Sequence, residues 1–250
     1  MCTVTWTAPS PAGRSLICSR DEQRTRPPAT APAVHQIDGV RVLTPVDPKA
    51  AGTWLFVNEL GFVATLLNFY EATPPAELRP SEGYRSRGLL LRSLGACRNA
   101  DDAHAILEKA VHADSYAPFW IIAMRLEDPT ARWCWDGRQL SRDLVNKDIQ
   151  PVTTSSWKTA EVLSERSKFF TEQSPTDASS LEAFHRSCSP KGGPWGPCMA
   201  RPDARTVSLS RIDLAPDGIH FTYQERCPRD EDGFSRPHRT FLPWHPNHRP

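Results

Sequence analysis

A cysteine stands at position 2, directly after Met1, and a small residue there allows the methionine to be removed. The product would carry a thiol and a free α-amino group on one residue. Thiolate is the nucleophilic form of cysteine, and an α-amine titrates near roughly 7.7–8.0, low enough to act as the activating base. The plain alternative is a small apolar strand residue. A second group follows at Cys18-Ser19-Arg20-Asp21-Glu22, with Arg26-Pro27 soon after. Asp21 can accept a hydrogen bond from an ammonium or a thiol. Arg20 can favour thiolate or hold a substrate carboxylate. Arg-Asp-Glu is also a common solvated surface triplet.

A β-hairpin would bring these two groups together. Cys2–Trp6 alternates, residues 8–14 supply turn chemistry, and residues 15–19 return as a short apolar strand. A polar loop is expected from Arg20 to about Gln36, then a strand at 40–43. Residues 52–57 and 62–68 are rich in β-branched and aromatic side chains, with Gly61 able to take a left-handed turn between them. Asn68 ends the second of these strands, either as a side-chain donor toward a site or as a strand-ending turn residue. Helical spacing appears at 86–98, and Asn99 can cap a helix over 100–112. Strands are expected at 119–126 and 132–135, helices at 157–170 and 178–187. A last hairpin covers 206–214 and 219–223 around Pro216-Asp217-Gly218. This order is α+β with mostly antiparallel pairing.

With 39% hydrophobic and 24% charged residues, the 250-residue chain is globular and within reach of one domain. Thirty Lys and Arg nearly cancel twenty-nine Asp and Glu, which gives no field for nucleic acid. The expected partner is a small-molecule ligand or substrate. No apolar run is long enough for a membrane span or a secretory leader. Seven scattered cysteines without a C-x-x-C fit neither a disulfide framework nor a zinc site, so a reducing cytoplasm is expected. Residues 226–250, rich in Pro, Arg and His, read as a tail without period behind a domain at 1–225.

Met1-Cys2-Thr3, Ser19-Arg20-Asp21-Glu22, Arg26-Pro27, Gly52-Thr53-Trp54-Leu55 and Leu67-Asn68-Phe69 recur in this order in one family. Ser86-Arg87-Gly88, Trp135-Asp136-Gly137, Thr154-Ser155-Ser156, Cys198-Met199 and Asp203–Ser208 continue the series. By these marks the chain resembles the NRDE family, also called the transport and Golgi organization 2 family. The resemblance implies an N-terminal-nucleophile hydrolase-like fold, a four-layer αββα sandwich of antiparallel sheets. Relatives outside the family, bile-salt hydrolases and penicillin acyltransferases among them, cleave amides with a terminal Cys, an Arg, an Asp matching Asp21, and oxyanion-holding asparagines. Carried over, that makes Cys2, Arg20, Asp21, Asn68 and Ser156 the candidate site. Eukaryotic members of the family itself are linked to haem trafficking and lipid or mitochondrial homeostasis.

The chain departs from the family at three positions. Ser19 replaces the Asn that names the signature. Ser156 stands where some relatives carry an oxyanion Asn, and a hydroxyl donates only one hydrogen bond. Ala200 follows Cys198-Met199, where related bacterial sequences often have a His. Two readings therefore stand side by side. One is a cysteine hydrolase of a linear amide or acyl bond, needing no cofactor. The other is a haem or lipid-like ligand carrier on the same fold. His185 and Cys188, i and i+3 on a helix, could share one face and reach a haem iron or metal, or be an ordinary helix face. His238, His245 and His248 lie in the tail and read as solvated.

Overall fold

The computed structural model describes residues 2–74, 79–145, 151–188, 192–227 and 233–247. Met1 and His248 lie outside them. The chain divides into two compact units, Met1–Pro28 with Asp148–Phe241, and Ala29–Lys147 with Leu242–Pro250. Length and composition suggest one domain over 1–225, and no linker signal in the sequence marks where the chain leaves and re-enters the first unit.

The first unit is built on a six-stranded sheet ordered β10-β1-β2-β11-β12-β13. Its strands are β1 (Cys2–Trp6), β2 (Arg14–Gln23), β10 (Val152–Thr153), β11 (Ala204–Ala215), β12 (Gly218–Glu225) and β13 (His238–Leu242). Nearly every residue of β1 and β2 is buried, on both strand faces, as expected of central strands covered on two sides. Ile17 and Leu209 point to one face and pack with Phe170 of α3 (Thr159–Gln173) and Leu181 and Phe184 of α4 (Ala178–Arg186). Helix α4 starts at a capping box between Asp177 and Ser180. Both helices fall close to their expected spans.

The second unit holds a seven-stranded antiparallel sheet ordered β3 to β9. It comprises β3 (Ala33–Ile37), β4 (Val40–Thr44), β5 (Leu55–Asn58), β6 (Val63–Asn68), β7 (Phe119–Met124), β8 (Thr130–Trp135) and β9 (Leu140–Val145). Helices α1 (Arg87–Ser93) and α2 (Ala100–Ala113) lay Leu90, Leu91, Leu94, Leu107 and Val111 on Phe56, Ile121 and Trp133. Asn99 caps α2, as its position suggested. Gly61 has φ +77° at the β5–β6 turn, and a side chain there would meet the Trp244 ring at 2.7 Å.

Two expectations are corrected. The polar loop expected at 20–36 is shorter, confined to residues 24–32, since β2 runs on to Gln23 and β3 begins at Ala33. The stretch from 226, expected as an extended or partly ordered tail, is ordered over its described part. Arg226 is buried, β13 extends the sheet, Leu242 is buried, and the His245 amide donates to the Glu59 carbonyl at 2.9 Å. Its ordering comes from pairing with a strand edge, which no local apolar period announces.

Candidate active site

Cys2, the first residue of β1, is paired across the β1–β2 ladder with Arg20. The hairpin thus does what the sequence implied. Cys2, Cys18 and Arg20 share one face of the sheet by strand alternation. The Cys2 amide donates to Thr154 Oγ1 at 3.2 Å, and its carbonyl accepts from the Thr154 amide at 3.0 Å. The main-chain nitrogen that would become the α-amine is therefore held by a buried hydroxyl.

The Cys2 thiol is buried and lowered to about 7. A hydrogen bond from the Cys18 thiol is the main cause. Burial opposes it, the amino-terminal charge and Arg20 assist, and Asp21 works against them. Cysteines elsewhere differ. Burial pushes Cys97 and Cys198 up to about 12 and Cys134 to about 11. No two cysteines are disulfide-bonded.

Asp21 lies one residue past the Cys2–Arg20 pair and alternates to the helix side of the sheet. A register shift between Thr206 and Ser208 sets Thr206 opposite it. The Thr206 hydroxyl donates to Asp21 Oδ1 at 2.6 Å. Arg166 Nη2 stands 3.8 Å from Oδ2, too far for a hydrogen bond, with both side chains almost fully buried. Burial outweighs Arg166, the amino terminus, Thr206 and Arg226, and holds the carboxyl above its ordinary range. Arg166 is fixed by Thr3 Oγ1 at 3.0 Å, Thr153 Oγ1 at 2.7 Å and the Pro194 carbonyl at 3.2 Å. Burial lowers its proton affinity and Asp21 raises it. Arg20 pairs with Glu22 at 3.1 Å, and Arg26 reaches the same carboxylate at 3.5 Å.

The candidates from the sequence are thus partly gathered. Cys2, Arg20 and Asp21 converge at one end of the first unit's sheet. Ser156 is exposed, within 3.5 Å of Arg201 Nη2, while its buried neighbours Thr154 and Ser155 face inward. Asn68 belongs to the second unit, at the end of β6, where its amide donates to the Tyr70 hydroxyl at 2.6 Å. His185 is fully buried, with Nε2 bonded to Thr5 Oγ1 at 2.9 Å and Nδ1 to Ser19 Oγ at 2.7 Å. Burial, with help from Arg166, depresses it to about 3. Both ring nitrogens being occupied, His185 is not the haem or metal ligand its spacing to Cys188 suggested. Ser19 sits on the helix side, so the residue that replaces the signature Asn supports α4 rather than entering the thiol's face. Among the described residues no cluster suited to a metal ion occurs, and no helix is long and apolar enough to cross a membrane.

Four site residues escaped the sequence reading: Cys18 as a thiol donor, Thr154, Arg166 and Thr206. Arg166 did leave a signal. Val162, Arg166 and Phe170, spaced i, i+4 and i+8, form the buried stripe of α3, with an arginine in the middle.

Two antiparallel sheets with four helices match solved structures of N-terminal-nucleophile hydrolases. One is the Caenorhabditis elegans ortholog of N-acylethanolamine-hydrolyzing acid amidase, with TM-score 0.58 and 11% identity over 85% of this chain and 92% of that one. Another is penicillin V acylase from Agrobacterium tumefaciens, with TM-score 0.57 and 12% identity over 97% and 86%. A variant of conjugated bile acid hydrolase from Clostridium perfringens gives TM-score 0.54 and 10% identity over 98% and 97%. The fold is N-terminal-nucleophile hydrolase-like. Residues 1–180 match the model of the transport and Golgi organisation 2 family, and the chain belongs to that family. No curated protein sequence matches it.

Proposed function

We propose that the first unit carries a cysteine N-terminal-nucleophile site that hydrolyses a linear amide or acyl bond. The observation that carries this reading is the hold on Cys2, whose thiol meets a thiol donor while its main-chain nitrogen is bound by Thr154. With Met1 removed, the α-amine accepts the Sγ proton and Sγ attacks the acyl carbon. The carbon–nitrogen bond then breaks, the leaving amine takes the proton back from the α-ammonium, and a thioester remains on Cys2. Water, deprotonated by the same amine, attacks the thioester, releases the acid and restores the thiol. Asp21, one residue past the Cys2–Arg20 pair, favours the ammonium form. Arg20 favours thiolate. Of the structures similar in fold, one is named an acid amidase and another an acylase, which supports an amide or acyl bond here.

The test is amine release from a panel of N-acyl amides, measured with an amine-reactive dye, for the native chain and for Cys2→Ala and Asp21→Asn. The proposal expects turnover in the native chain and losses of at least a hundredfold in both variants. Turnover that survives Cys2→Ala contradicts it.

A further inference from the structure

The chain is almost neutral, yet cations concentrate where β2 and β11 run past Cys2. Arg20, Glu22 and Arg24 alternate onto the face that carries Cys2, and the Arg24 amide continues the ladder by donating to the Asp203 carbonyl at 3.0 Å. Arg205 is paired with Glu22 and so lies on that face too. Glu22, the acidic member of the row, is already shared by Arg20 and Arg26. Asp203 is taken by Arg201 at 2.9 Å. Arg24 is exposed and spends its Nε on the Arg201 carbonyl at 2.9 Å. Arg205 is half-buried and reaches only the Cys227 carbonyl, at 3.5 Å. Among the described residues, neither forms an ion pair.

We infer that Arg24 and Arg205 bind an anionic group of the substrate, a carboxylate or phosphate at the end remote from the bond cleaved at Cys2. The inference rests on the hydrolase reading and adds a substrate class to it. Two guanidinium groups set diagonally across neighbouring strands on one face repel each other, and burial followed by Arg24 and Arg226 lowers the proton affinity of Arg205. An oxyanion between them removes that repulsion and accepts charge-assisted hydrogen bonds. At about 3.3 Å per residue, the Arg24 backbone lies about 13 Å along the strand from Arg20. The substrate would therefore be elongated, with its charge well away from its amide carbonyl.

The mono-N-methylamide of decanedioic acid has its carboxylate a comparable distance from its amide carbonyl, and the bis-N-methylamide is its neutral counterpart. Each is scored by how far it slows iodoacetamide alkylation of Cys2, read by peptide mass spectrometry. The carboxylate ligand should protect at concentrations on the order of tenfold lower than the neutral one. In the double variant Arg24→Gln/Arg205→Gln the two ligands should protect alike. Arg239→Gln, on the edge strand β13 of the same sheet, should keep the preference. Failure of the carboxylate ligand to protect, equal protection in the native chain, a preference that survives the double variant, or one lost in Arg239→Gln overturns the inference. Because protection reads binding, an absence of amide turnover would contradict the hydrolase proposal while leaving this comparison intact.

Discussion

The main-chain nitrogen of Cys2 donates to the buried Oγ1 of Thr154 at 3.2 Å, and the Thr154 amide returns a bond to the Cys2 carbonyl. This two-way clasp fixes the residue by its backbone and leaves the thiol to Cys18. It also places a hydroxyl beside the atom that becomes the α-amine in the proposed reaction. Intact mass of protein from its native host should show the chain beginning at Cys2. A retained Met1 would leave the amine one residue away and contradict its role as base.

The thiols should separate sharply in reactivity. With Cys2 at about 7, its alkylation rate should climb as pH rises and reach half its plateau near that value, because only thiolate reacts. Cys97, Cys134 and Cys198, raised to between about 11 and about 12, should stay nearly unlabelled across the same range. Replacing Cys18 with Ala removes the largest stabiliser of the Cys2 thiolate, so the midpoint should move upward. Peptide mapping of labelled protein over pH 5–9 decides it. An unmoved midpoint would show that Cys18 does not set the reactivity.

Much of the fold is legible in the amino-acid sequence. The hairpin that joins Cys2 to Arg20, the Gly61 turn, the Asn99 cap and the last hairpin rest on short-range turn and capping chemistry, which sequence states directly. Edge strands were not legible. In β3 and β9 half or more of the residues are exposed, and a strand paired on one side carries only a weak apolar alternation. The site was legible where it lies on contiguous motifs, as at Arg20 and Asp21. It was not where α3 delivers Arg166, since an arginine on an amphipathic helix normally faces water. Thr154 and Ser156 show the resolution limit of a motif. Two residues apart in one signature, the first holds Cys2 and the second is exposed to solvent.

His185 makes the fold sensitive to acid. Its folded value near 3 lies below the roughly 6.5 of an unfolded histidine, so the unfolded chain binds more protons between those limits. Its contribution is complete above about pH 6.5 and is lost progressively as pH falls toward 3. Urea midpoints measured from pH 7 down to 4 should fall for the native chain. His185→Gln should be less stable at pH 7, by about 1–3 kcal/mol for the disturbed Thr5 and Ser19 hydroxyls, and should lose part of that slope. An unchanged slope would contradict a neutral buried imidazole.

Arg166 offers a second test by stability. Arg166→Met removes the nearest cation from the buried Asp21 carboxyl and should cost about 3 kcal/mol at pH 7. Without it the folded Asp21 is raised further above its unfolded value, so the folded variant binds more protons and its stability falls as pH rises. The loss relative to the native chain should therefore be larger at pH 7.5 than at pH 4.5. Equal losses at both values would mean that the Thr3, Thr153 and Pro194 hydrogen bonds, rather than charge, account for the role of Arg166.

In the proposed reaction Cys2 takes an acyl group. Its most direct test is acid quenching of the protein within seconds of mixing with an activated acyl donor such as a 4-nitroanilide, followed by peptide mass spectrometry. One acyl adduct per chain is expected, on the Cys2 peptide, labile to hydroxylamine as a thioester is, and absent in Cys2→Ala. Acylation spread over several cysteines or lysines, or an adduct that persists in Cys2→Ala, would contradict it.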